Sequence, residues 1–209
     1  MYNTKNIGRF YQLKERWETI EKTFIEYINI GNRVFQQKEN ELSERLKMCS
    51  DECEYQNILM EEKDIANYYL LRTFLFGGLG YICAQFESHL VELEKEYCRD
   101  VPERKSDVIR QSRNAICQKA GFDCRTHLDR LWCPLLDYQK IRNVCIHANG
   151  IARRPTDLNI IKCYDGVLKN VRNPGQLEIG LTKDFLMMVV KNISSYYFAL
   201  IHDLENLNK

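Results

Sequence analysis

One short stretch of this chain gathers an arginine, an asparagine and a histidine at helical spacing: Asp137-Tyr138-Gln139-Lys140-Ile141-Arg142-Asn143-Val144-Cys145-Ile146-His147-Ala148-Asn149-Gly150. On an α-helix each residue turns by about 100°, so Arg142, Asn143 and His147 fall within about 140° of one another, with Gln139 among them. Tyr138, Ile141, Val144, Cys145 and Ala148 fall on the opposite side. The spacing predicts a helix with a core face and a second face presenting a guanidinium, an amide and an imidazole. Ile146 lies on that polar side too, where an apolar residue needs cover that a second subunit would provide.

The grouping suits phosphodiester chemistry. Arginine offers a planar fork that pairs two phosphate oxygens. Histidine titrates near neutrality and can take or give a proton, and the helix C-terminus favours its charged form. Asn143, one turn before His147, can hydrogen-bond a phosphate or hold the imidazole. Cutting RNA by 2′-hydroxyl attack needs a base, an acid and charge stabilisation. One chain supplies a single Arg142 and a single His147 here, so two such helices facing across a two-fold axis would complete the set.

Arg-x4-His alone is a weak signal that recurs by chance, and a histidine at a helix end is often only a cap. The longer context sets this one apart: Asn directly after Arg, an apolar helix leading in, and Ala-Asn-Gly leading out. Other candidates weigh less. Glu87 and His89 follow a glycine-rich helix, with Glu87 in reach of the motif face, but read first as a solvated or core-edge pair. Lys140, Arg153 and Arg154 flank the motif, as an RNA path or as solvated charge. Tyr196-Tyr197 reads as core. The chain carries no Gly-rich phosphate loop, no His-Glu-x-x-His and no Gly-x-Ser-x-Gly elbow.

The elements that must position the motif are mostly helical. Residues 9–48 place Phe10, Leu13, Trp17, Ile20, Phe24, Tyr27 and Ile28 at three- and four-residue steps. Gly31-Asn32 is expected to bend or break this helix, with the polar segment 33–47 leaving the core. Ser50-Asp51-Glu52 offers a cap for a second helical region over 55–98, interrupted at Gly77-Gly78 and Gly80. Further helices are expected over 104–120, stopped by Gly121, over 125–132, and from Pro134 to about Ala148, closed by a left-handed Gly150. Then the period changes. Asn159–Tyr164 and Val167–Val171 flank Asp165-Gly166, a hairpin signal, and Asn173-Pro174-Gly175 turns into Leu177–Leu181. Thr182 caps a last helix, 183–207, with Phe185, Val189, Ile193, Tyr196, Tyr197, Leu200 and Leu204 inward.

The expected fold is therefore an all-α antiparallel helical bundle with a small β-hairpin or three-stranded ribbon before the last helix. It is one domain over 1–209: an N-terminal helical extension (1–54), a helical core with the motif (55–158), the ribbon (159–181) and the C-terminal helix (182–209). Hydrophobic residues make up 44% and charged residues 28%, an ordinary balance for a globular protein, so disorder is not the default reading. A net charge of +1 excludes a highly basic nucleic-acid coat but leaves room for a local basic groove. Nine cysteines, an odd number with no Cys-x2-Cys pair, read as structural rather than as zinc ligands. Cys83, Cys117 and Cys145 lie in apolar helical stretches. Such thiols fit a reducing cytoplasm. Met1–Phe10 does not read as a secretory signal, and 68–86, with Arg72 inside it, falls short of a membrane span.

The segment Ile141–Gly150 resembles the Arg-x4-6-His signature of the HEPN superfamily, in the form with Asn after the Arg. The wider layout is similar as well, with long antiparallel helices, the motif on a later helix and a final helix closing the bundle, over about residues 60–207. The resemblance implies an endoribonuclease that needs no metal or other cofactor, cuts single-stranded or loop RNA to a 2′,3′-cyclic phosphate, and builds its site at a homodimer interface. Arg142 would hold the scissile phosphate, His147 would join the proton transfers, and Asn143 would orient the phosphate. It also implies a toxin or antiphage-defence role with a possible antitoxin or regulatory protein. Relatives modified by an antitoxin carry Tyr two residues after the motif His, where this chain has Asn149, so that form of regulation is not implied. The extension before residue 55 and the ribbon lie outside the minimal family core. The alternative is a non-catalytic HEPN module that binds RNA, nucleotide or protein. A third reading is a purely structural bundle in which Arg142 and His147 are internal caps.

Overall fold

The computed structural model describes residues 4–49, 53–98, 101–104, 106–122, 127–173 and 175–207. Helix α1 spans Thr4–Met48. Helix α2, Cys53–Asp64, passes through a π-helical turn, Ile65–Leu70, into α3, Leu71–Cys98. Then come α4 (Val108–Ala120), α5 (His127–His147), strand β1 (Ile151–Ala152), α6 (Pro155–Lys162), β2 (Val167–Asn173), β3 (Gln176–Leu181) and α7 (Lys183–Leu207). The chain is thus mostly helical, with a small antiparallel sheet before the last helix, as its periodicity predicts. In the sheet β3 lies between β1 and β2, with Ile151 opposite Glu178 and Val167 opposite Leu181. Among the described residues no helix is long and apolar enough to cross a membrane.

The residues form two compact units. The first comprises 1–24, 81–140 and 188–209. Its core is aromatic. Trp17 packs between Phe86 and Tyr197, at ring-centroid distances of 6.2 and 5.3 Å, and its indole N–H donates to Ser194 Oγ at 2.9 Å. Trp132 lies 5.1 Å from Tyr196. Tyr196 and Tyr197 are buried, as read from the sequence. Two ion pairs frame this core: Arg104 with Glu94, and Arg113 with Asp129. Arg113 also stacks over Trp132.

The second unit comprises 25–80 and 141–187 and contains the sheet and the motif. The end of α1 is not left without a core: Leu42 packs with Leu59 and Ala66 in a small apolar cluster beside Leu46 and Cys49. Thr182 caps α7 as expected, accepting from the Phe185 N–H at 3.1 Å and donating to the Gly166 carbonyl at 3.1 Å. Cys83, Cys117 and Cys145 are buried.

Several expectations are corrected. Helix α1 runs unbroken through Gly31-Asn32. Gly31 serves a close approach instead, because a Cβ there would enter the ring of Phe74. Tyr27 is exposed rather than core. Gly77, Gly78 and Gly80 do not interrupt α3. The irregularity lies earlier, at the π-helical turn, where the Leu71 N–H reaches back to the Ala66 carbonyl. Pro134 lies inside α5 and does not start it. Leu128, Trp132, Leu135 and Tyr138 are buried at three- and four-residue steps on both sides of it. That packing holds the helix together against a cost of about 3 kcal/mol for an internal proline. Helix α4 begins at Val108, after a left-handed Asp107, and not at 104. Gly121 does cap it, at φ 69°. Residues 159–164 are no strand. Pro155 opens α6, which buries Asp157 and Ile161 one turn apart. The sheet therefore consists of 151–152, 167–173 and 176–181. The cap at Ser50-Asp51-Glu52 falls outside the described residues.

Candidate active site at the end of the fifth helix

The last two turns of α5 have the two faces that the wheel predicts. Ile141, Val144 and Cys145 are buried. Arg142 is half-buried, and Asn143, Ile146 and His147 are exposed. Ala148, expected on the core side, is exposed instead, because the helix ends before it. The stem of Arg142 is packed, with Nε shielded from solvent and without a hydrogen-bond partner. Its tip reaches along the exposed face. Nη1 donates to Asn143 Oδ1 at 3.0 Å and lies 3.4 Å from His147 Nε2. For the guanidinium to donate there, the imidazole must carry its proton on Nδ1.

Arg142 makes no ion pair among the described residues, so its charge is not spent on a carboxylate. The arrangement can hold an anion at the fork with the imidazole beside it. Ile146 is 43% exposed on the same face, and its side chain touches the place where a Cβ on Gly80 would stand. The flanking cations are also solvated. Arg154 is 81% exposed at 3.4 Å from Asp157, Lys140 lies 3.9 Å from Asp137, and Arg153 is exposed.

His147 is the last residue of α5, and the chain turns sharply after it. Asn149 and Gly150 both adopt left-handed conformations, at φ 47° and 74°. The Gly150 N–H returns to the Val144 carbonyl at 2.8 Å, closing the helix. Glycine is strongly favoured at position 150 by both backbone and neighbours. A Cβ would clash with the Arg72 guanidinium and come within 2.9 Å of the Phe76 ring. The sheet takes over at once, with the Ile179 N–H donating to the Gly150 carbonyl at 2.8 Å.

Arg72 is the residue that spacing alone missed. Its Nη2 donates to the Asn149 carbonyl at 2.7 Å and its Nη1 to Glu178 Oε1 at 2.7 Å. The Tyr68 hydroxyl donates to the same carboxylate oxygen. Its one signal in the sequence is a charged residue inside the largely apolar run 68–86.

The remaining sequence candidates separate. His89 is buried and packs edge-on against Trp17 and Tyr197, at 5.4 and 6.1 Å, with Nδ1 unpartnered. Burial holds its pKa below the usual imidazole value, and the nearby charge of Arg16 adds to this. Glu87 is half-buried on α3. Among the described residues no cluster of three His, Cys, Asp or Glu is placed to hold a metal ion.

Comparison with known proteins gives no match: no family model fits the chain, and no curated protein and no solved structure is significantly similar to it.

Proposed function

We propose that this protein is an endoribonuclease of HEPN type that works without metal, as a homodimer, with Arg142, Asn143 and His147 as its site residues. The observation that carries the reading is the exposed pair of Arg142 Nη1 and His147 Nε2, 3.4 Å apart and, among the described residues, paired with no carboxylate. Arg142 and Asn143 hold the non-bridging oxygens of the scissile phosphate. The imidazole of one copy takes the proton of the 2′-hydroxyl, whose oxygen attacks phosphorus. The 5′-oxygen leaves with a proton from the imidazole of the second copy. The products are a 2′,3′-cyclic phosphate and a 5′-hydroxyl. Exposed Ile146, on the same face, is the apolar residue that the second copy covers. A cytoplasmic toxin or antiphage role, restrained by an antitoxin or another regulatory protein, fits such an activity.

Total RNA incubated with the pure protein in excess chelator tests this, with His147→Ala alongside. Wild type is expected to cut, and the variant to lose about 10²-fold or more. Cleavage by both, or by neither, overturns the reading. RNA binding without cleavage in either protein supports the non-catalytic module instead.

A further inference from the structure

We propose that Arg72, held by Glu178 and Tyr68, is a positioning residue for the Arg142–His147 site. The inference rests on the catalytic reading of that site and adds a residue that acts on it from outside.

The last carbonyls of a helix have no partner within it, and they form the negative end of its dipole. At the end of α5 the chain leaves through two successive left-handed residues, Asn149 and Gly150; asparagine tolerates this conformation better than most side chains, though less freely than glycine. Something must hold the turn, or His147 would sit on a fraying end. Arg72 does so from α3. One arm of its fork takes the Asn149 carbonyl, two residues past the imidazole, and the other takes Glu178. The guanidinium is itself stacked against Phe76 and Tyr68, 5.0 and 5.3 Å from their centroids, which fixes its plane. Glu178 is buried on β3, opposite Ile151 in the sheet register, and the next residue binds the Gly150 carbonyl. Side chain and sheet together thus fasten Asn149 and Gly150, the second and third residues after His147.

The fork is essential to this role. A lysine keeps the positive charge that buried Glu178 needs, but a single ammonium cannot serve the carboxylate and the carbonyl in the same fixed plane. Arg72→Lys is therefore the informative variant, since it keeps the charge balance and the fold. Tyr68→Phe removes the hydroxyl that donates to Glu178 and accepts from Arg72 Nη1 at 3.0 Å, and leaves the fork on Glu178 and the Asn149 carbonyl.

The experiment reads the imidazole Cε1–H cross-peak of His147 by NMR, assigned with His147→Ala, together with kcat and KM for RNA cleavage. Arg72→Lys is expected to shift and broaden that cross-peak and to lower kcat by about ten- to a hundredfold, with KM changed less than threefold. Tyr68→Phe is expected to move both in the same direction by less. An unmoved His147 cross-peak in folded Arg72→Lys overturns the inference. If the wild type cuts no RNA, the catalytic reading has failed, and the cross-peak alone still decides whether Arg72 positions His147.

Discussion

Arg142 Nη1 and His147 Nε2 meet at 3.4 Å although the residues are five apart on one helix. That separation corresponds to about 140° around the axis, wider than the usual three- and four-residue neighbours. The reach of the guanidinium closes the gap, and Asn143 steadies it at 3.0 Å. Arg142 is thus held by groups that can also bind phosphate, with no acid among the described residues competing for it. A shorter or narrower cation at this position would lose the contact.

Replacing Arg142 by lysine is the first test of that point. The charge stays, but the fork that spans phosphate oxygens is lost. Cleavage is expected to fall about 10²-fold in single-turnover assays, with folding unaltered by circular dichroism. A variant as active as wild type would mean that charge alone suffices.

Gly150 separates backbone demands from general glycine effects. Gly150→Ala meets both a left-handed backbone and the Arg72 and Phe76 side chains. A loss of about 1–3 kcal/mol in urea unfolding is expected. Gly77→Ala, in α3 with open space around it, is expected to stabilise by about 0.5–1 kcal/mol. Equal effects of the two substitutions would contradict the packing described at the motif.

His89 carries a pH dependence whose sign follows from burial. Its folded pKa lies below the ordinary imidazole value, first because the ring is buried and then because Arg16 is near, with Glu92 opposing. Above about pH 6.5 the ring is neutral in both states, and its contribution to stability is complete. As pH falls below that, the unfolded chain takes up a proton that the folded one resists, and stability is lost. Melting temperature is therefore expected to drop between about pH 7 and 5, and His89→Phe to flatten the slope. An unchanged slope in that variant would assign the loss to other groups.

Much of this fold is legible in the sequence because long helices repeat their apolar residues. Phe185, Val189, Ile193, Tyr196, Tyr197, Leu200 and Leu204 are all buried along α7 as read. Short apolar runs are ambiguous, and Ile160-Ile161 read as strand when Pro155 had already opened a helix. Gly31 reads as a break and Pro134 as a helix start because their local cost is visible in sequence, whereas the neighbours that accommodate them, Phe74 and the buried row around Trp132, are not. The two faces of the motif helix were legible from spacing. The Arg72–Glu178 clamp was not, since its partners stand 106 residues apart and only folding joins them.

The proposed cleavage of RNA by Arg142 and His147 is tested by incubating an RNA hairpin with the protein in excess chelator and reading the product ends by mass spectrometry, with a 2′-deoxy copy of the hairpin and His147→Ala as comparisons. The expected result is a 2′,3′-cyclic phosphate and a 5′-hydroxyl from wild type on RNA, and intact strands in both comparisons. Cleavage of the 2′-deoxy hairpin, or equal cleavage by His147→Ala, would contradict the account.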